Sequence, residues 1–207
     1  MSAAADEKET GRIEAFSDGV FAIAVTLLVL ELRVPHLADR GADGSLGRAL
    51  LAQWPSYVAL ATSFFTILVM WANHHRVFEL VHRVDAPFLY ANGLLLLVVT
   101  VVPFPTAILA EYFRKPGASV AAAVYAGTFV VAGIAFQLFW RTAISGRRLL
   151  KRNYSEERVQ EISRRYWVGV PGYAAATIAA FVSVYLTVAI CVALLVVWIA
   201  VSRSARA

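Results

Sequence analysis

Long apolar runs separated by short polar connections make up most of the sequence. Four of them are each about 20 residues, the length that one helix needs to cross a hydrocarbon core roughly 30 Å thick, and they lie at 16–34, 54–71, 87–110 and 120–140. The last run, 166–201, would extend roughly 54 Å as a helix, too long for one crossing. We expect it to divide near Phe181 to Tyr185, where Ser183 interrupts it. The pattern therefore predicts six transmembrane helices, the last two at 166–182 and 184–201.

The composition supports a membrane protein. Apolar residues make up 59% of the chain and charged residues 16%, with a mean hydropathy of +0.65, whereas soluble domains hold about 45–50% apolar and about 25% charged residues. A pI near 9.6 also suggests nucleic-acid binding, but the basic residues lie between the apolar runs, as membrane topology requires. We predict an all-α integral membrane protein in which residues 1–207 form one six-helix domain.

The basic residues also predict the orientation. Six crossings place both termini on one side, and that side holds 14 of the 19 Lys and Arg residues. Because positive charge is retained in the cytoplasm, we expect both termini to be cytoplasmic in a multi-pass cell-membrane protein. The basic connection Gly146–Arg165 is either a topology signal alone or an amphipathic helix lying on anionic head groups. Pro35–Gly47 is expected to be a short external loop of turn-forming residues.

Several motifs of enzymes and energy-coupled transporters are missing from the sequence. There is no Walker loop, Rossmann glycine fingerprint or GxSxG elbow, and no nucleophile or pair of converging carboxylates stands out within the apolar runs. The sequence also lacks the arginine series of a voltage sensor and the TVGYG-like pore loop of ordinary potassium channels. We therefore expect no enzymatic activity, no cofactor and no metal site.

Asp18 is the most informative charge in the first apolar run. A carboxylate near a membrane boundary costs several kcal/mol unless it is paired or hydrated, so Asp18 is expected to have a partner. The alternative is a capping role, since Ser17 and Asp18 are both favoured residues at a helix N-cap.

Three apolar residues of the same run share a helix face. Ile23, Leu27 and Leu30 are spaced i, i+4 and i+7, with Thr26 beside them. Such a stripe ordinarily packs against lipid or other helices, and its spacing alone leaves a role in a pore open.

Three segments resemble one family of channels. The segment RxxxFSDGVFAIAVTLLVLEL, from Arg12 to Leu32, resembles the first-helix signature of the bacterial relatives of transmembrane protein 175, the endosomal and lysosomal potassium channel. The stretch WxxHHxxF beginning at Trp71, and the element PFPT beginning at Pro103, are similar to two further elements of that family. These matches fall in order over the first half of the chain, whereas the second half agrees only in its number of spans and its basic connection.

The resemblance implies a homotetramer in which the first helix of each subunit lines a central cation pore. By position, Ile23 would form the narrowest ring, Leu27 and Leu30 further rings, and Thr26 a polar neighbour of the pore. An apolar ring can empty of water and so exclude a hydrated ion. Other residues would tie the first helix to its neighbours through a structural hydrogen-bond network, and these are Arg12, Ser17, Asp18, Trp71, Asn73 and His74.

Two smaller features support structural roles. His74 and His75 are adjacent, so on a helix they point about 100° apart and do not readily share a metal; a neutral histidine in a hydrogen-bond network is the favoured interpretation. Pro103 and Pro105 predict a kink in the third span.

Together these observations predict a potassium-permeable cation channel whose permeant ion is K⁺ and whose partners are further copies of the chain and membrane lipid. The alternative is a proton-coupled membrane carrier that works through Asp18, Glu31, Glu79 or His74. A membrane scaffold without transport activity is a third possibility.

Overall fold

The structure is a computed structural model that describes residues 3–35, 45–151 and 154–204, with side chains described at 9–35, 45–151 and 154–200. Its described residues form helices joined by short connections, with one isolated antiparallel bridge between Val81 and Leu150. The helices are α1 (Ala3–Leu27), α2 (Leu46–Ala52), α3 (Trp54–Leu80), α4 (Ala86–Val101), α5 (Pro103–Tyr112), α6 (Ala118–Ile144), α7 (Glu156–Trp167), α8 (Gly169–Ala179) and α9 (Val184–Ser204). The prediction of an all-α fold is confirmed for these residues.

Four segments of the described chain are long and apolar enough to cross a membrane. They are Glu9–Glu31, Trp54–Leu80, Ala86–Tyr112 and Ala118–Arg147, and they contain the greater part of the first four predicted spans. Towards the C-terminus, Val184–Ala200 forms a shorter apolar helix, and α8 has 11 residues. The described chain therefore contains four membrane-length helices followed by two shorter apolar ones.

The helix boundaries differ from the apolar runs where polar residues continue a helix. Helix α3 does not end at Trp71 but runs to Leu80, because the polar residues after Trp71 find partners within the bundle or at its end. The helix is interrupted at Val102, between α4 and α5 and directly before Pro103, because proline has no N–H to continue the helical hydrogen bonds. The third span is thus interrupted at the predicted prolines, while its kink stays a prediction, and the predicted division near Phe181 is confirmed, since a turn separates α8 from α9 there.

Helix α6 lies at the centre of the bundle. Its largest fully buried side chains include Tyr125, Phe139 and Trp140, and it packs against α4, α5 and α8. Buried alanines recur along it, and such small residues allow membrane helices to approach closely. A buried polar cluster joins three helices here: the Ser63 hydroxyl lies 2.8 Å from Thr106 Oγ1 and 3.1 Å from the Tyr125 hydroxyl. Helix α1 packs on the outside of this core against α3 and α4.

Helix α7 forms within the basic connection 146–165 and is amphipathic. The Ser155 hydroxyl caps it by accepting from the Arg158 N–H at 3.3 Å, and acidic residues in its first turn and basic residues in its last turn match the helix dipole. Val159 and Tyr166 are buried against the bundle. The predicted amphipathic helix is therefore present at Glu156–Trp167, while most of the predicted external loop, residues 36–44, lies outside the described residues.

Candidate pore-lining face and its hydrogen-bond network

Helix α1 has one buried face and one exposed face. The buried face consists of Ser17, Phe21 and Ala24, whose spacings of four and three residues place them on one stripe, and it continues to Leu28 directly after α1; each of the four is at most 2% exposed. This stripe contacts α3 and α4. The direction of the exposed face is thus fixed by packing within the subunit.

The apolar residues singled out by the sequence lie on the exposed face. Ile23 is 59% exposed, Leu27 is 40% exposed and Leu30 is 71% exposed. Thr26 is exposed between them, and its hydroxyl donates to the Ile23 carbonyl at 2.9 Å. The α-helical spacing assumed for Leu30 needs correction, because the chain tightens into a 3₁₀ turn at Leu28–Glu31. An exposed apolar strip of this kind requires lipid, a second subunit or a narrow pore beside it.

Asp18 has a partner on the neighbouring helix. The Trp71 indole N–H donates to Asp18 Oδ1 at 2.8 Å, which joins α1 to α3. Asp18 is half-buried, and with Trp71 it lines an apolar groove that also includes Phe21, Val25 and Leu68. Asp18 lies inside α1 rather than at its start, so it does not cap the helix, and the capping interpretation is wrong.

A second set of hydrogen bonds joins three helices and fixes which ring nitrogen of His74 donates to Asn92. The Ser17 hydroxyl donates its proton to the Ile13 carbonyl at 2.9 Å, so it accepts from Asn92 Nδ2 at 3.0 Å. Asn92 Oδ1 is then left facing His74 Nε2 at 2.8 Å. Because this oxygen can only accept, Nε2 of His74 carries the proton and donates. The other ring nitrogen, Nδ1, has no hydrogen-bond partner among the described residues.

Aromatic rings enclose His74 completely. The Phe139 ring stacks on it with centroids 5.1 Å apart at an interplanar angle of 11°, and Phe21 and Phe78 lie at 5.2 and 4.8 Å. His74 has no exposed surface. A polar group held in this way orients helices against one another, and it is closed to a passing ion.

Two residues that the resemblance assigned to the network lie outside it. Arg12 is exposed on α1, and within the described residues it forms no ion pair with Asp18, six positions further along. Asn73 is buried, but it faces cavities between α3 and α9, because adjacent helical residues point about 100° apart. Within the described residues of a single subunit, neither side chain therefore takes part in the network.

Asn92 is the network residue that sequence reasoning missed. It is 2% exposed and bridges Ser17 to His74. The available signal was an amide side chain inside the apolar run 87–110, since polar residues within membrane spans usually bond across helices.

The carboxylates proposed for the carrier alternative are scattered. Glu79 lies near the end of α3, 3.7 Å from His75 Nε2, and His75 Nδ1 lies 2.7 Å from Glu14 of α1. Glu31 lies beyond the opposite end of α1, in the 3₁₀ turn. Asp18, His74, Glu79 and Glu31 therefore form no continuous relay within the described residues.

Membrane-length helices and an exposed apolar face on α1 define an integral membrane protein, and comparison with known proteins specifies its class. The sequence profile of the family "Endosomal/lysosomal potassium channel TMEM175" matches residues 12–103. A potassium channel of Chamaesiphon minutus is 52% identical over 191 residues, which cover 92% of this chain and 94% of that protein. The crystal structure of a lysosomal potassium-selective channel TMEM175 homologue from the same organism superposes with a TM-score of 0.85 at 50% identity, covering 94% of this chain and 98% of that one.

Two further relatives extend the comparison. A potassium channel of Streptomyces collinus is 48% identical over 182 residues, 87% of each chain. The human endosomal/lysosomal proton channel TMEM175 is 34% identical over 139 residues, which cover 64% of this chain and 28% of the human protein. The chain belongs to the TMEM175 family of ion channels.

Proposed function

We propose that the chain is the subunit of a homotetrameric, potassium-permeable channel whose central pore is lined by α1. The observation that carries this proposal is the exposed strip of Ile23, Leu27 and Leu30 on a helix whose other face is packed against α3 and α4. Four copies around an axis would cover this strip and place Ile23 at the narrowest ring. The potassium-channel names of the two bacterial relatives support K⁺ as the permeant ion.

In the membrane we propose six crossings formed from residues 1–207 as one domain, the last two formed by residues 166–182, which include the end of α7 and all of α8, and by α9. Both termini would then lie in the cytoplasm of a cell-membrane protein, as the excess of basic residues on that side favours. The length of α9 supports this arrangement, since its 21 residues reach roughly 30 Å.

The gate would be an apolar constriction. Four isoleucine side chains around an axis leave a neck that empties of water and excludes a hydrated ion, and a slight widening refills it. The Trp71–Asp18 bond and the Ser17–Asn92 bond tie α1 to α3 and α4, so the ring would widen when these helices move together. No cofactor is needed for such a gate.

Polar substitution at the proposed constriction tests the pore assignment. Ile23→Asn should wet the neck, raise the K⁺ conductance of reconstituted liposomes and weaken selectivity against Na⁺. The matched control is Val25→Asn, because Val25 is half-buried in the groove beside Asp18 and Trp71; it should lower expression without raising flux. Equal K⁺ flux in the two variants would refute the pore assignment, and a monomer in native mass spectrometry would refute the tetramer.

Proton movement is the second candidate function, and the human relative, an endosomal/lysosomal proton channel, favours it. The proton-coupled carrier predicted from Asp18, Glu31, Glu79 and His74 belongs to the same class, because it also moves protons. Reversal potentials in separate K⁺ and pH gradients distinguish the candidates. A potential that follows the K⁺ gradient at constant pH supports the potassium channel, whereas one that follows only the pH gradient supports proton transport.

A further inference from the structure

Two adjoining cavities lie at the end of the bundle that carries α7. The wider one, about 630 Å³, lies between α3, α7 and α9 and is lined by charged residues as well as by aromatic ones. The narrower one, about 60 Å³, lies deeper between α3, α6, α8 and α9, and its lining is almost entirely apolar. Asn73, Tyr166 and Trp198 line both cavities, so a charged chamber and an apolar chamber adjoin at these side chains.

Three guanidinium groups line the charged chamber. Arg76, Arg158 and Arg165 line it, with Glu79 as a lining carboxylate. Glu161, on the same helix as two of these arginines, lies 2.9 Å from Arg158 Nη1 and 2.5 Å from Arg165 Nη2. The chamber therefore brings three guanidinium groups together, two of which also contact Glu161, and His75, which lines it too, lies 2.7 Å from Glu14.

The arginines are held in place before any ligand arrives. Glu161 fixes two side chains whose ordering would otherwise cost conformational entropy, and Arg165 is only 28% exposed. Guanidinium groups bind phosphate oxygens through paired N–H donors. An arrangement of this kind is suited to a phosphate group.

The apolar chamber is suited to hydrocarbon. Val69, Met70, Phe129, Phe136 and Leu195 line it, so it has little to offer a free anion. A ligand that fills both chambers must carry an anionic group and hydrocarbon next to each other. Helix α7 is amphipathic and packs Val159 and Tyr166 on the bundle, and a helix of this kind that lies at a membrane surface places its basic residues beside lipid head groups.

We propose that this composite cavity is a binding site for a phosphate ester, supplied by the head group of an anionic phospholipid. The phosphate lies among Arg76, Arg158 and Arg165, and the first part of one acyl chain enters the apolar chamber. The site belongs to a single subunit and does not depend on the proposed pore.

Binding of defined probes to the purified full-length protein tests the site. The probes are a diacyl phosphatidate, diacylglycerol with the same chains, and inorganic phosphate, and native mass spectrometry with titration measures retention and affinity. We expect phosphatidate to bind, and Arg165→Gln to weaken it about tenfold or more, as loss of a charge-assisted pair implies. The matched control is Arg164→Gln, because Arg164 is exposed on the same helix and does not line the cavity; its affinity should be unchanged.

A second variant separates the lipid from free phosphate. Ala132→Val adds volume to the apolar chamber, which Ala132 lines, and should lower phosphatidate affinity while leaving any binding of inorganic phosphate unchanged. Arg165→Lys, which keeps the charge but loses the paired donors, should give an intermediate affinity and shows that a weakened site is still folded. Equal retention of phosphatidate and diacylglycerol, equal effects of the substitutions at Arg164 and Arg165, or inorganic phosphate binding as tightly as phosphatidate would each overturn the proposal. Because no flux is measured, these outcomes are independent of the channel proposal.

Discussion

Asn92→Leu is expected to destabilise the subunit, because it leaves the Nε2 proton of His74 without an acceptor. Asn92, His74 and Ser17 are each at most 2% exposed, so water cannot replace the lost bonds. Leucine keeps the branched shape of asparagine at this position, which concentrates the effect of the substitution on hydrogen bonding.

The magnitude follows from the bonds that are broken. A buried donor without a partner costs about 1–3 kcal/mol. Ser17 loses a donor but still donates to the Ile13 carbonyl, and such a bond within a membrane protein contributes about 0.6 kcal/mol on average. We therefore expect Asn92→Leu to lower the free energy of unfolding by about 2–4 kcal/mol per subunit.

A double-mutant cycle provides the assay. His74→Phe alone leaves Asn92 Oδ1 without a donor and should also destabilise. In combination with Asn92→Leu, however, both polar partners are replaced, and a phenylalanine suits the ring of aromatic side chains around position 74. The double variant should therefore be more stable than the sum of the single effects predicts. Thermal unfolding in a fixed detergent measures each variant, and strictly additive effects would refute the hydrogen bond and the tautomer assigned to His74.

Three further predictions follow from other contacts. Trp71→Phe removes the donor to Asp18 and should lower the unfolding free energy by about 1 kcal/mol, with no change in the K⁺/Na⁺ permeability ratio; an altered ratio would place Asp18 at the ion path. Gly172→Val should lower the melting temperature, because even a Cβ at that position would lie 2.6 Å from Leu194 Cδ2 of α9, so that this side chain would have to leave its packed position between α8 and α9; an unchanged melting temperature would contradict this close packing. The hydrogen bond from Arg158 lowers the pKa of Glu161, so its stabilising effect is complete above the ordinary glutamate pKa and is lost as the pH falls through the lowered value; the difference in melting temperature between the wild type and Glu161→Gln should shrink with acidification, and a constant difference would contradict the ion pair.

Local sequence properties determined which parts of the chain are membrane helices. Hydropathy summed over about 20 residues depends on no other segment, which is why the first four apolar runs correspond to membrane-length helices. The break before Pro103 and the turn near Phe181 are equally local. Helix α3 extends past its apolar run because it includes the polar residues Asn73 and His74. Other helices bury these two side chains, and hydropathy takes no account of such neighbours.

The tertiary structure alone decided which residues meet. Periodicity placed Ile23 and Leu27 on one face of α1, but the packing of the opposite face on α3 and α4 determines that this face is exposed. Likewise Asn92, 18 positions from His74, became its partner only because α4 packs against α1 and its side chains reach those of α3. A helix fixes the angles between its own side chains, whereas the element that each side contacts depends on how distant segments pack together.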